Sequence, residues 1–239
     1  MVKLISGPDF EKSSIFVFDI DGTQLTIPVP EESLDKTMSS DTSIINLNND
    51  EIYDVQEPGC MLVKRILKTQ FEYVDTINEL PLDMTGVMIQ LLKVDDLRPV
   101  PKQNLLSFEE SKKVFFQLID SAKTKIKKYN LSERYYVAPE CINDIDELYS
   151  NNIQWQNALS GYAEVLPPVH TFITPITTNH LLMIELSPGS YNFGTDEQSA
   201  QMRAEAEADV FDFIRSIRIE FSPEVQAEID EVRGAMEAL

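Results

Sequence analysis

The sequence is poor in residues that build disulfide or metal scaffolds. Among its 239 residues it has only two cysteines, Cys60 and Cys141, which can form one bridge at most. A disulfide framework is therefore excluded, and the two cysteines lack the paired spacing of a zinc site. We predict a chain that uses no cofactor and no metal and folds around an apolar core, for which its length is ample.

Long apolar runs and N-terminal targeting signals are also lacking. No stretch of about 18 apolar residues is present, so we expect no transmembrane helix. The first residues, MVKLISGPDFEKSS, include Asp9, Glu11 and Lys12 and lack the apolar segment of a signal peptide. These absences predict a cytoplasmic protein with no membrane partner.

Positive charge is scarce. The chain has 20 Lys and Arg against 40 Asp and Glu, a net charge of −20, which excludes nucleic-acid binding through a global basic field. Residues 1–100 hold 18 acidic and 8 basic side chains, residues 101–150 hold 8 of each, and residues 151–239 hold 14 acidic and 4 basic, with no lysine. Two acidic segments therefore flank a neutral middle.

The strongest local signal is Asp21-Gly22, which lies between apolar runs at 15–20 and 23–29. An Asp-Gly pair in this position is typical of a type I′ β-hairpin turn, because both central residues need positive φ. Pairing outward from the turn sets Phe18 opposite Leu25, so that apolar side chains meet on one face.

Periodicity and capping signals predict the remaining elements, in which strands come first and most helices later. This order predicts an α+β fold: a mainly antiparallel sheet with an N-terminal hairpin, packed against amphipathic helices, and a helical C-terminus. We expect the sheet that contains the hairpin to pack against the helix at 108–129. We predict one domain over 1–239, with a subdivision into 1–100 and 101–239 as the alternative. The predicted elements are strands at 60–67, 70–77, 86–94, 134–138, 170–175 and 180–186, helices at 108–129, from about 139, at 196–216 and from 223, and a long loop at 31–50.

The segment IFVFDIDGT (15–23) resembles the first motif of haloacid-dehalogenase-type phosphatases. In that family the residue matching Asp19 attacks phosphorus, the residue matching Asp21 is the general acid/base, and Mg²⁺ binds beside them. The later family motifs are missing: no Gly-Asp element completes a magnesium site, and no lysine follows Thr174. The turn is therefore the preferred interpretation, and we predict that the protein is not an enzyme; the phosphatase stays an alternative.

Other candidate constellations are weaker. His170, His180 and Glu185 can be imagined as a metal site, and Cys141 with His170 as a thiol dyad, but no ligand spacing supports either. We interpret the histidines as strand residues and Cys141 as an inert, buried thiol. Trp155 is predicted to lie in the core.

The predicted helix from Asp196 carries a dense set of carboxylates with Arg203 alone opposing them up to Asp212. Such charge destabilises a helix unless a cation relieves it. One interpretation is a solvated face that keeps the protein soluble. The other is a docking surface for a basic partner. The candidate partner-binding residues are Glu205, Glu207, Asp209 and Asp212.

Two stretches, FVFDIDGTQLTIPVP (16–30) and FDFIRSIRIEF (211–221), in a small acidic α+β chain resemble the immunity proteins that bacteria pair with secreted antibacterial effectors. This resemblance implies a non-catalytic antagonist that covers the active site or substrate entry of a cognate toxin with a basic or mixed-charge cleft. It carries over no individual residue. The alternatives are the Mg²⁺-dependent phosphatase and an adaptor or chaperone of a secretion machine, and a homodimer also stays open.

Overall fold

The structure is a computed structural model, and it describes residues 5–31, 33–38, 44–56, 61–94, 104–128, 136–162, 168–190 and 195–237. Its strands and helices confirm the α+β prediction. In chain order they are β1 (Ile5–Ser6), β2 (Ser13–Ile20), β3 (Thr23–Pro30), β4 (Leu34–Met38), β5 (Ile44–Ile45), β6 (Asp54–Gln56), β7 (Met61–Asp75), β8 (Leu80–Val94), α1 (Phe108–Lys128), β9 (Tyr136–Val137), β10 (Asp146–Ser150), β11 (Ile153–Tyr162), β12 (Val169–Pro175), β13 (His180–Pro188), α2 (Asp196–Ser216), β14 (Arg218–Glu220) and α3 (Pro223–Glu237).

The N-terminal hairpin is confirmed in position and register. Asp21 and Gly22 have φ values of 47° and 84°, as a type I′ turn requires. Phe18 lies opposite Leu25, and both are buried. The hairpin is the centre of a four-stranded sheet with the order β14-β3-β2-β5, in which β5 runs parallel to β2.

The larger sheet has the order β1-β7-β8-β13-β12-β11-β10 and is antiparallel throughout. The segments 60–67 and 70–77, predicted as two strands, form the single strand β7, with a register shift between Arg65 and Leu67. Lys68 and Thr69, which lie between the two predicted segments, continue the strand: Thr69 is buried, and its hydroxyl donates to the Leu34 carbonyl.

The prediction of one long loop at 31–50 is wrong, since β4 and β5 lie within that range. Both strands are short and are held by distant partners, β4 by the edge of β7 and β5 by β2. Residues 32 and 39–43 of the predicted loop lie outside the described residues.

The helix predicted from about 139 is also wrong. A short 3₁₀ turn at Ile142–Asp144 occurs there, followed by the hairpin of β10 and β11, which the sequence did not predict. Its turn residues, Asn151 and Asn152, both have positive φ. Trp155 on β11 is fully buried, so its predicted core position is confirmed.

Successive residues of the central strands point to opposite faces of the large sheet, and each face has its own core. Leu91 and Phe172 join a core with α2 and the small sheet, whereas their neighbours Leu92 and Ile173 join a core beneath α1. The hairpin therefore packs against α2 and not, as expected, against α1. α1 is committed to the opposite face of the large sheet.

Helices α2 and α3 begin where their capping signals predict. Thr195 and Gln198 form a capping box on α2, with the Gln198 amide donating to Thr195 Oγ1 and the Thr195 amide donating to Gln198 Oε1. Ser222 caps α3 by accepting from the Val225 amide, and its own amide donates to Thr23 Oγ1 of the hairpin. Helix α3 is thereby tied to the small sheet.

The two faces of the hairpin predict a stability contrast. Ile27 is 0% exposed and Ile15 is 60% exposed. We expect Ile27→Ala to lower the free energy of unfolding by about 2–5 kcal/mol, because it leaves a cavity between the small sheet and α2. Ile15→Ala, the matched control, should change it by less than about 0.5 kcal/mol. Urea denaturation measures both values, and equal losses would contradict this assignment of faces.

Candidate functional site

Helix α2 is held by a continuous buried stripe. Met202, Ala206, Val210 and Phe213 are at most 1% exposed and belong to the core shared with the small sheet. At 3.6 residues per turn this stripe fixes the rotation of the helix about its axis. The direction in which each carboxylate of the helix points is therefore set by the core.

The four predicted partner-binding residues separate into two groups. Glu205, Asp209 and Asp212 follow one another at helical spacing and share one flank of α2, whereas Glu207 lies on the opposite flank. Glu207 and Asp212 are exposed; Glu205 and Asp209 are partly buried. The structure therefore brings three of the four together, and we call Glu205, Asp209 and Asp212 the acidic flank.

The acidic flank contacts neighbouring groups along its length. Glu205 accepts a hydrogen bond from Gln201 (3.0 Å), and Asp212 forms an ion pair with Arg215 (2.9 Å). Asp209 lies against the N-terminal segment: a Cβ placed on Gly7 would be 2.7 Å from Asp209 Oδ2. Only glycine allows this approach, so Gly7 joins the acidic flank to the segment before β2.

Gly7 also lines a pocket of about 340 Å³ at the edge of β7. On the edge of β7 that faces away from β8, the strand pairs with β1 at Val74 and Asp75 and with β4 from Gln70, so no described strand pairs with residues 71–73 on that edge. The pocket lies at this interval and is walled by residues 6–8, by Pro30 and Ser33, and by β7 and the turn that follows it. We call it the edge pocket.

The turn from β7 to β8 is stiffened by one carboxylate. Asp75 accepts from the amides of Ile77 (2.8 Å) and Asn78 (3.3 Å) and from the Asn78 side chain (2.6 Å). These hydrogen bonds hold the pKa of Asp75 below its ordinary value, and the one from the Asn78 side chain has the largest effect. Asp75 therefore stays ionised at neutral pH beside the edge pocket.

Glu207 lies near a different pocket of about 190 Å³, which Arg203 and His170 also line. The His170 ring packs between Phe172 and Phe211, at centroid distances of 6.1 and 5.6 Å. Burial lowers the pKa of His170, and the nearby Glu207 carboxylate opposes that shift. His170 is therefore a buried, neutral side chain at physiological pH.

The two carboxylates of the Asp-x-Asp motif stabilise the hairpin turn and its neighbour. Asp19 Oδ1 accepts from the Gly22 amide at 2.7 Å, and Asp21 Oδ2 accepts from the Leu47 amide at 3.1 Å. The segment after the motif, Thr23–Pro30, is a strand. Both carboxylates therefore have a structural role in the turn and in the chain after β5.

His170 and His180 lie at opposite ends of the β12–β13 hairpin, one opposite Leu186 and the other opposite Lys93. Cys141 is exposed near the 3₁₀ turn, so its predicted burial is wrong. Cys60 lies outside the described residues. Within the part of the chain that the structure describes, no three His, Cys, Asp or Glu side chains are grouped to hold a metal. No helix there is both long and apolar enough to cross a membrane.

The chain after β5 contributes a buried aromatic cluster. The Tyr53 ring stacks on His180 at 6.2 Å, and Lys93 pairs with Asp50 at 2.5 Å beside them. Burial and, to a lesser extent, the positive charge of Lys93 lower the pKa of His180 to about 4, while the negative charge of Asp50 opposes this shift. Burial, followed by the charges of Asp50 and Asp21, raises the pKa of Tyr53.

Comparison with known proteins adds no assignment: no family model, no curated protein and no solved structure matches this chain. The edge pocket was not predicted from the sequence. Its walls come from residues 6–8, from Pro30 and Ser33, and from β7 and the turn after it, and no local sequence pattern connects these segments. The one available signal was the pair of small residues, Ser6 and Gly7, before Pro8.

The Asp19→Asn variant should keep the hairpin, because the asparagine oxygen can still accept from the Gly22 amide. We expect its biological activity to be nearly intact and hydrolysis of a generic phosphate ester with Mg²⁺ to stay at background for both proteins. A colorimetric phosphatase assay measures this. A fall in turnover of several orders of magnitude on this one change would establish the phosphatase alternative.

The depressed pKa of His180 predicts acid sensitivity. Its value of about 4 lies below the roughly 6.5 expected in the unfolded chain, so the unfolded state binds the proton more tightly. The free energy of unfolding should fall as pH drops from about 6.5 to 4, and His180→Gln should weaken this dependence. Urea denaturation at several pH values, with NMR titration of the imidazoles, measures both. A His180 that titrates near 6.5 would refute the prediction.

Proposed function

We propose that this chain is a non-catalytic antagonist that binds a toxic effector protein and neutralises it by direct contact. The observation that carries the proposal is the continuity of acidic groups from the acidic flank, across Gly7, to the edge pocket. The carboxylates in this region, which we call the acidic surface, are Glu205, Asp209, Asp212, Glu72, Asp75 and Glu79.

Rigidity supports a recognition role for this surface. The acidic flank lies on a helix fixed by its buried stripe, and Asp75 is held by three hydrogen bonds. Carboxylates held in place lose little freedom on binding, which favours affinity for a complementary surface. A partner with a basic or mixed-charge cleft is the complement of such a surface.

The net charge restricts the choice of partner. At −20 the chain repels nucleic acid and a second copy of itself at long range, and it attracts a basic protein. Electrostatic attraction accelerates encounter and disfavours wrong partners. The most suitable partner is therefore a heterologous, basic protein.

Co-expression tests the function. The products of genes adjacent to this one are expressed singly in a bacterial host, and any that arrests growth is expressed again with this chain. We expect restored growth and a complex that co-elutes. Restored growth without a complex, or a complex that is needed for export of the effector but does not protect, would replace the antagonist with the adaptor alternative.

Charge reversal on the acidic flank tests the surface. The double variant Glu205→Lys/Asp212→Lys should associate with the effector about tenfold more slowly at low salt and with a flatter salt dependence. Its thermal stability should change little, because the relief of carboxylate repulsion within α2 offsets the loss of the exposed Asp212–Arg215 ion pair. Biolayer interferometry at low and high salt gives the rates.

The matched control is Glu228→Lys/Glu231→Lys on α3, where both residues are exposed and the change in net charge is the same. It should slow association much less than the α2 variant. Equal slowing by the two variants would show that only net charge matters and would remove the acidic flank from the interface.

A further inference from the structure

The edge pocket is lined by acidic residues, and no cation is among the described residues that line it. Glu72, Asp75 and Glu79 line it, and none of its described lining residues is Lys or Arg. Within the described part of the chain, neither Glu72 nor Glu79 forms an ion pair or side-chain hydrogen bond. Several other carboxylates do have a cation within 3.0 Å, namely Asp9, Asp50, Glu110, Glu147 and Asp212.

The shape of the pocket suits a side chain better than a strand. On the edge of β7 away from β8, the interval without a described partner strand is residues 71–73, between the segments that pair with β1 and β4. Added strands usually run about five or six residues, which this interval cannot accommodate. A volume of about 340 Å³ holds one long side chain and leaves room for ordered water.

The walls combine apolar surface with charge. Pro8, Pro30, Phe71 and Val74 line the same pocket as the three carboxylates. Lysine and arginine have a matching chemistry, since their methylene stems pack on apolar surface while the charged end reaches polar groups. Arginine is enriched among the residues that dominate protein interfaces.

The turn beside the pocket supplies apolar contact surface. Ile77 is 68% exposed and Leu80 is 59% exposed, although turns in this position usually carry polar residues. Apolar contacts around a charged anchor exclude water and strengthen the charge pair. A free small cation would leave both side chains uncovered, whereas a protein surface can cover them.

We propose that the edge pocket receives an arginine or lysine side chain of the effector protein, which then packs against Ile77 and Leu80. This assignment rests on the function proposed above and names the anchor point within the acidic surface. Steering by the acidic flank and anchoring in the pocket are separate effects: the first acts on association and the second on dissociation.

The test uses Glu72→Gln/Glu79→Gln, which keeps side-chain size and removes two charges, with Glu228→Gln/Glu231→Gln on α3 as the matched control. Dissociation rates from the effector identified by co-expression are measured by biolayer interferometry, and melting temperatures confirm that both variants fold. We expect the pocket variant to dissociate about tenfold faster or more and the control less than about twofold faster.

A free ligand and self-association are tested in the same proteins. N-acetyl-arginine methylamide, with the norleucine analogue as control, is titrated into the wild-type protein and followed by amide chemical shifts. Sedimentation reports the oligomeric state. We expect arginine-specific shifts at Gly7, Thr76 and Glu79 that disappear in the pocket variant, and a monomer throughout.

Three outcomes would overturn the assignment. Unchanged dissociation in the pocket variant would place the anchor elsewhere while growth protection, and so the proposed function, stands. Arginine-specific shifts with unchanged effector dissociation would make the pocket a site for free cations. A dimer that the pocket variant abolishes would make a second copy the occupant. An effector that never binds the wild-type chain instead refutes the proposed function itself.

Discussion

Three phenylalanine rings hold together the parts that form the acidic surface. Phe71 of β7 lies 5.2 Å from Phe213 of α2 and 5.7 Å from Phe10, which precedes β2, and Phe10 lies 6.3 Å from Phe213. Aromatic pairs at these separations contribute through both buried area and ring geometry. This cluster sets the position of the N-terminal segment relative to the large sheet and to α2.

The acidic surface depends on that cluster. With Phe10 fixed, the segment before it passes between Asp209 and Tyr73, where only the glycine at position 7 fits. The same segment forms one wall of the edge pocket, and Phe71 forms part of another. Loosening the cluster would therefore separate the acidic flank from the pocket before it unfolded either sheet.

Sequence predicted the elements whose signals are local. Asp21-Gly22 fixes the hairpin register through φ alone, and α2 has both a capping box and a buried stripe. Hairpin β10–β11 was missed because its buried strand carries polar residues. Gln156 is fully buried, and its side-chain amide nitrogen donates to the Phe108 carbonyl and to Ser111 Oγ of α1. Nothing near it in sequence reveals that partner.

The Asp-x-Asp motif shows how tertiary context decides the role of a short motif. The same two carboxylates suit a nucleophile and a general acid when a phosphate and Mg²⁺ lie before them. In this chain their oxygens accept from the Gly22 and Leu47 amides. The similarity of residues 15–23 to the phosphatase motif therefore predicts a strand and a turn. Phosphatase chemistry would need further residues that this motif does not contain.

The sequence predicts that the candidate partner-binding residues lie on a charged helix, but it does not predict the surface that they form with the edge pocket. Helical spacing alone places Glu205, Asp209 and Asp212 on one side and Glu207 on the other, yet only the core determines which side adjoins the pocket. Charges on the acidic flank are screened beyond about 8–10 Å at physiological salt. They therefore act on a partner only once it has approached to within that distance. Carboxylates that line a partly apolar pocket are screened less once a partner covers them. The negative charge of the chain thus serves two stages of binding. The carboxylates that act on association lie on helix α2, and those that act on dissociation lie at the edge of strand β7.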